Sequence, residues 1–245
     1  MRDAPSEPTI RGGPARGHET TSVALILHGG RERGNVPTSP LQLSYLRMFD
    51  FAWALRRRSV GCAVYLLRYR LRGWNPGPGV PDPVADTRWA LDRLTALHPH
   101  LPIAMLGHSM GGRAAFAAAD HPAVVGVCGL APWLPANEPV PPRRDHQRFV
   151  IAHGTSDRMT SSPLSREYAE RLRRMGHTVA RFELPGAKHA LLDRSGLWRD
   201  FAARTTLGLL GDGPLPRGVG AALEQSGSAR FDLGLDTFDA ASSDA

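Results

Sequence analysis

PIAMLGHSMGGRAAFAAA, residues 102–119, carries the clearest structural signal in the chain. Its apolar start predicts a buried strand, and its small, helix-favouring residues predict a helix after residue 109. Between the two elements Ser109 stands between Gly107 and Gly111. A G-x-S-x-G turn holds its serine in a strained backbone conformation, and side chains at the glycine positions would collide with the neighbouring strand and helix. Ser109 is therefore the candidate nucleophile, since a serine that only caps the helix would not need glycine on both sides.

Strand and helix patterns alternate on both sides of this turn. Apolar runs predict strands at 22–30, 62–69, 102–108, 124–130, 148–154 and 178–184, and helical spacing predicts helices at 41–58, 84–97, 110–119, 163–175 and 195–210. The alternation predicts one α/β domain over residues 21–211, with a mostly parallel sheet of roughly six strands covered by helices on both faces. We expect an irregular leader over residues 1–20 and a disordered acidic tail over residues 212–245.

The composition and charge of the chain limit the partners and the location that we expect for it. The 245 residues carry a net charge of +7, but Lys188 is the only lysine and the arginines are spread over the predicted helices. No nucleic-acid motif accompanies them, so we expect no nucleic-acid partner. There is no apolar run long enough to span a bilayer and no apolar signal segment in the first twenty residues, so we expect a cytoplasmic protein without a membrane contact. Cys62 and Cys128 lie in apolar strands and are expected to be buried and reduced.

A serine nucleophile needs a base that is oriented by a carboxylate. Asp157 follows the strand that ends near residue 154, and His189 follows the strand that ends near residue 184. Functional groups collect at the carboxyl ends of parallel strands, and the chain order Ser, Asp, His is the one expected of this architecture. We therefore predict a Ser109–His189–Asp157 triad. Two alternatives stay open: Asp157 could cap the following helix, and Glu138 could replace it as the acid.

The tetrahedral intermediate of acyl transfer needs backbone N–H donors for its oxyanion. One donor is expected from Met110, directly after the nucleophile, and the other from the glycines that follow the first strand. We favour Gly30, with Arg31 as the alternative, while glycines that merely end the strand are the competing interpretation.

With these motifs the chain resembles the α/β hydrolases, and most of all the small dienelactone-hydrolase-like and serine-esterase members without a cap. The resemblance rests on LHGG (27–30), GHSMGG (107–112), HGTSDRMT (153–160) and GAKHALL (186–192). It implies Ser109 as nucleophile, Asp157 as acid and His189 as base. Many relatives carry two further strands before the strand that corresponds to residues 22–30 here, which implies a reduced sheet. Dienelactone hydrolases proper use a cysteine nucleophile, so the resemblance does not carry their substrate over. About seventeen residues join the strands that end at 130 and begin at 148, too few for a helical cap.

These observations predict a serine hydrolase for an ester or thioester of a small acyl substrate, acting through an acyl-enzyme without a cofactor. An acyltransferase, a peptidase with the same triad, or a binding protein on the same scaffold are the alternatives. Trp74, Trp133 and Met159 are expected at the edge of the site as lining for an apolar acyl group. His98 and His100 lack a third ligand, so we expect no metal site. The sequence carries no signal for an oligomeric state.

Overall fold

The strands of this chain form one sheet. The structure is a computed structural model, and it describes residues 7–14, 17–76, 79–225 and 231–239. Its strands are β1 (Thr9–Gly13), β2 (Ser22–Leu27), β3 (Cys62–Arg68), β4 (Ile103–His108), β5 (Val124–Leu130), β6 (Arg148–Gly154), β7 (Thr178–Leu184) and β8 (Leu233–Gly234). The order across the sheet is β1-β3-β2-β4-β5-β6-β7-β8, and every neighbouring pair is parallel except β1 with β3. The predicted α/β fold with a mostly parallel sheet is confirmed.

Helices cover both faces of this sheet. They are α1 (Leu43–Leu46), α2 (Met48–Arg58), α3 (Asp82–Leu97), α4 (Met110–Ala117), α5 (Ser162–Arg174), α6 (Ser195–Leu210) and α7 (Arg217–Glu224). Alternate residues of β2 enter two separate cores: Ile26 belongs to the core that includes residues of α1, α2, α6 and α7, and Leu25 belongs to the core that includes residues of α3, α4 and α5. Burial on both faces explains why the strands read as continuous apolar runs.

The sheet has eight strands, so the prediction of roughly six is wrong in number. The additional strands lie at the two edges of the sheet. Main-chain pairing alone is enough to hold an edge strand there, so no apolar alternation marks it in the sequence. In β1, within the residues expected to form an irregular leader, Gly12 lies so close to the β3 backbone that a Cβ would overlap the carbonyl oxygen of Val64. The other additional strand, β8, pairs through only two residues, Leu233 and Gly234, with β7.

Part of the chain expected to be a disordered tail is folded. Helix α7 buries Val219 and Ala222 against the core, and Leu235 and Phe238 join them there. The Asp212 carboxylate accepts the Gly61 amide at 2.9 Å, which attaches the start of this segment to the body. The rest of the prediction, over 226–230 and 240–245, lies outside the described residues.

The structure also bears on the predictions for the two cysteines, for a membrane span and for the helix over 41–58. Cys62 and Cys128 are buried and unpaired, as predicted, and burial raises the pKa of each thiol to about 12. None of the helices in the described part of the chain is long and apolar enough to cross a membrane. The expected single helix over 41–58 is divided at Arg47 into α1 and α2.

Candidate active site

The turn between β4 and α4 places Ser109 at the carboxyl edge of the sheet. Ser109 has φ 57° and ψ −120°, a conformation that is rare for any residue with a side chain. Close approach explains the flanking glycines. A Cβ on Gly107 would overlap the Gly111 carbonyl, and a Cβ on Gly111 would overlap the carbonyl of Leu27 on β2. The predicted nucleophile turn is therefore present in the structure, with the serine strained and the glycines at positions where only glycine fits.

A chain of hydrogen bonds leads from this serine to the acid. His189 Nε2 lies 3.0 Å from Ser109 Oγ, and His189 Nδ1 lies 2.8 Å from Asp157 Oδ2. Asp157 follows β6 and His189 follows β7, so the three side chains come from three strand ends of the same sheet edge. The structure brings together the three residues that the sequence indicated, at distances suited to proton transfer from Ser109 to His189.

Asp157 is fixed by five contacts. Its Oδ1 accepts the amides of Met159 at 2.8 Å and Thr160 at 3.0 Å, and its Oδ2 accepts the Thr160 hydroxyl at 2.8 Å as well as His189. His153 Nε2 lies 3.3 Å from Oδ2. Burial by itself would raise the pKa of Asp157, but the hydrogen bonds from His153, His189 and Thr160 outweigh it and hold the pKa far below its usual range. Asp157 is therefore an ionised acceptor for the His189 ring at neutral pH.

His108 supports the segment that carries His189. Its Nε2 lies 3.0 Å from the His189 carbonyl oxygen, so the nitrogen donates, and the two rings stack with centroids 4.9 Å apart. Burial and the nearby His189 lower the pKa of His108 to about 3, so its ring stays neutral. His153 and His108 thus contact Asp157 and His189 directly, and both hold these residues in place.

The loop after β2 lies against the nucleophile turn. Gly30 packs on the side chain of Met110, where a Cβ would overlap its sulfur. His28 fixes this loop, since its Nδ1 donates to the Gly29 carbonyl at 2.6 Å and its Nε2 accepts the Tyr69 amide at 3.3 Å. The Arg31 amide donates to the Arg72 carbonyl at 2.7 Å, so it is already engaged. Of the two predicted candidates for the second oxyanion donor, the geometry favours Gly30 over Arg31.

A cleft of about 510 Å³ opens beside Ser109. Met159 lines it, as predicted, with 76% of its surface exposed. The other walls are residues that sequence reasoning missed as lining, namely Leu43, Leu46, Arg47, Asp50 and Leu192. Leu43 and Leu46 lie within the helix predicted over 41–58, and the structure exposes both at this cleft. The division of the helix at Arg47, which the sequence did not indicate, gives α1 its position here.

Trp74 and Trp133 are not among the residues that line this cleft, and their predicted role in lining an acyl pocket stays a prediction. They pack edge to face with each other, and each covers the Arg113 guanidinium, at 4.0 Å from the Trp74 centroid and 4.4 Å from that of Trp133. Cation–π attraction to a cation on α4 therefore sets their positions. Glu138, the alternative acid, pairs with Arg113 at 2.6 Å and does not contact His189.

A metal site was not expected, and the structure offers no cluster for one in the residues it describes. Within them no group of three or more His, Cys, Asp or Glu side chains is placed to hold a metal ion. The arrangement at Ser109 is that of a nucleophile, a base and an orienting carboxylate.

Comparison with known proteins agrees with this geometry. Residues 75–150 match the family model described as serine aminopeptidase, S33. Three solved structures are similar over most of both chains. An α/β serine hydrolase homologue from Coxiella burnetii is 17% identical, with 81% of this chain and 91% of that chain covered and a TM-score of 0.58. An α/β serine hydrolase without lid from Xanthomonas campestris is 17% identical, with 85% and 94% covered and a TM-score of 0.55.

The third structure is Est1E from Butyrivibrio proteoclasticus with ferulic acid bound, which is 14% identical, with 84% and 95% covered and a TM-score of 0.60. The chain has the α/β-hydrolase fold. The predicted resemblance is thus confirmed at the level of the fold. A comparison with curated protein sequences finds no match.

In this α/β-hydrolase fold the connection from β5 to β6 decides whether a cap covers the site. The structure describes all of residues 131–147 and shows turns and irregular backbone there, without a helix. The prediction of a fold without a cap is confirmed. Residues of α1, Met159 and Leu192 border the cleft.

Proposed function

We propose that the protein is a serine hydrolase that cleaves a carboxylic ester or thioester of a small substrate. The observation that carries the proposal is the hydrogen-bonded chain from Ser109 Oγ through both nitrogens of His189 to Asp157, at 3.0 Å and 2.8 Å. A serine hydroxyl is a weak nucleophile unless a base takes its proton. His189 is such a base, and the ionised carboxylate of Asp157 fixes its tautomer.

In the first half of the reaction, Ser109 Oγ forms a bond to the carbonyl carbon while its proton passes to His189 Nε2. The carbonyl oxygen becomes an oxyanion, which the amides of Gly30 and Met110 would stabilise. Collapse of this intermediate breaks the bond to the alcohol or thiol, and the leaving group takes the proton from His189. An acyl-enzyme on Ser109 remains.

In the second half, water takes the place of the leaving group. His189 Nε2 accepts a proton from the water as its oxygen attacks the acyl carbon, and the same amides stabilise the second oxyanion. Breaking the bond to Ser109 Oγ releases the acid, and the proton on His189 returns to the serine. Asp157 stabilises the imidazolium in both halves and does not itself take a proton.

The cleft favours a small or exposed acyl group. It is open, and the side chains at its mouth include the exposed Leu43, Leu46 and Leu192. Apolar walls of this kind suit an acyl chain or a small aromatic group, which they would shield from water.

A peptidase is the second candidate, because the matching family model carries the name of an aminopeptidase. An aminopeptidase must hold the free ammonium of its substrate, and the one carboxylate that lines the cleft beside Ser109, among the residues described, is Asp50. Parallel assays of alanine 4-nitroanilide and 4-nitrophenyl acetate separate the two. Faster turnover of the anilide would favour the peptidase.

Hydrolysis of 4-nitrophenyl acetate tests the proposal. We expect a burst of nitrophenol equal to the enzyme concentration if deacylation is slower than acylation, and we expect Ser109→Ala to reduce kcat about 10⁶-fold. Ser156→Ala is the matched control, since Ser156 is exposed and its side chain does not contact the three site residues. Turnover by folded Ser109→Ala close to that of the wild type would refute the proposal.

A further inference from the structure

A second cleft adjoins the one at Ser109. It has a volume of about 340 Å³ and shares Gly30, Leu43 and Ser44 with the first cleft. Two arginines, Arg31 and Arg72, line it, and none of its lining residues is acidic. A concentration of positive charge beside the nucleophile is a feature that the triad chemistry does not use.

Neither arginine has an anionic partner within the described part of the chain. Arg31 and Arg72 form no ion pair there, and even Glu32, next to Arg31 in sequence, does not pair with it. Arg72 Nε is buried and has no hydrogen-bond partner. A buried donor without an acceptor is costly, and native structures seldom leave one without a reason. An anion in the cleft would supply the acceptor.

The backbone fixes both arginines next to the candidate oxyanion donor. The Arg31 amide donates to the Arg72 carbonyl at 2.7 Å, the Trp74 amide donates to the Arg31 carbonyl at 2.9 Å, and the Arg72 amide donates to the Val36 carbonyl at 3.0 Å. The Arg72 carbonyl lies so close to Gly30 that a Cβ there would approach it to 2.5 Å. A group bound by these arginines would therefore lie beside the scissile carbonyl.

We propose that this arginine cleft, formed by Arg31 and Arg72, binds an anionic group, a carboxylate or a phosphate, that the ester substrate carries. A guanidinium presents paired N–H donors that match the oxygens of either anion. Arg47 lines the first cleft, forms no ion pair with the described residues and adds positive charge, which Asp50, three residues along, offsets in part. The inference rests on the proposed function, because it assigns the substrate class of the same site.

Two pairs of matched esters test whether the arginine cleft selects substrates that carry an anionic group. The acyl-side pair is mono-4-nitrophenyl glutarate and 4-nitrophenyl 5-methylhexanoate, which have similar shape and differ in charge. The alcohol-side pair is 4-acetoxybenzoate and its methyl ester. We expect kcat/KM to favour the anionic member of one pair by about tenfold or more, as for a hydrogen bond to a charged group. Arg72→Met should abolish the preference while leaving turnover of the neutral ester, and Arg72→Lys should restore part of it.

Arg33→Met is the matched control, since Arg33 is exposed in the same loop and lines neither cleft. It should keep the preference of the wild type. A preference that is absent in both pairs, or that is equal in wild type and Arg72→Met, would overturn the arginine cleft as a substrate site while leaving ester hydrolysis intact.

Calorimetry with glutarate and with inorganic phosphate separates this inference from the proposed function. Binding of either anion by the wild type, weakened about tenfold or more in Arg72→Met, would support the cleft even if no ester were cleaved. The anion that binds more tightly identifies the group recognised. Absence of binding by both anions together with equal turnover of the matched esters would overturn it.

Discussion

Replacing Asp157 by Asn isolates the role of the carboxylate with little change in shape. Oδ1 accepts the amides of Met159 and Thr160, and only an oxygen can do so. The new amide must therefore place its NH2 at the position of Oδ2, which faces His189 Nδ1 at 2.8 Å in the wild type. Two donors cannot face each other, so His189 must move its proton from Nδ1 to Nε2.

This change of tautomer removes the base. With a proton on Nε2, His189 donates toward Ser109 Oγ and cannot accept from it, and the negative charge that stabilises the imidazolium is also lost. The same substitution in a serine protease triad lowers kcat by about 10⁴-fold, which corresponds to about 5.5 kcal/mol of barrier. The geometry here is equivalent, so we expect a loss of that size in Asp157→Asn.

Ester hydrolysis and unfolding measured on the same samples test the argument. Asp145→Asn is the control, because Asp145 is an exposed carboxylate paired only with Arg143. The control should keep full activity, and Asp157→Asn should retain a cooperative unfolding transition. An Asp157→Asn variant that is folded and loses less than about tenfold in kcat would refute the assigned role of the carboxylate.

Three further outcomes follow from particular contacts. Gly111→Ala should prevent folding, because a Cβ at this position overlaps the β2 backbone. Gly220 of α7 has open space around it, so Gly220→Ala should raise the free energy of unfolding, measured by urea titration, by about 0.5–1 kcal/mol. Arg113→Met should lower the free energy of unfolding by about 3–5 kcal/mol because buried Glu138 loses its partner, and adding Glu138→Gln should restore part of it. Burial lowers the pKa of His28 from 6.5 to about 4, so the unfolded chain binds the extra proton in this interval. Urea titrations should then show a loss of about 3 kcal/mol as the pH falls from 6.5 to 4, and a smaller loss in His28→Asn.

The central strands and the three site residues could be predicted because each leaves a strong signal in the chain. Strands buried on both faces are continuous apolar runs, and packing alone seldom requires a serine between two glycines at a strand end. The edge strand β1 leaves no such signal, because main-chain pairing with β3 requires no particular side chain. Val219 and Ala222 of α7 form too short a pattern to be distinguished from a polar tail.

The walls of the cleft could not be predicted for a different reason. Whether Leu43 faces the core or the cleft depends on the break at Arg47, which is a matter of tertiary packing. Trp74 is expected at the cleft because it lies in a loop near the site, but the guanidinium of Arg113 attracts it elsewhere. The arginine cleft could not be predicted either, because Arg31 and Arg72 are distant in sequence and are brought together by backbone hydrogen bonds between two loops.

The proposed mechanism depends on Ser109 as an activated nucleophile. Labelling of the folded protein with a fluorophosphonate probe, followed by mass mapping of the modified peptide in wild type and in Ser109→Ala, measures this directly. We expect one modification, on Ser109, and none in the variant. Folded wild-type protein that stays unmodified, or a variant that is labelled as fast as the wild type, would contradict the account.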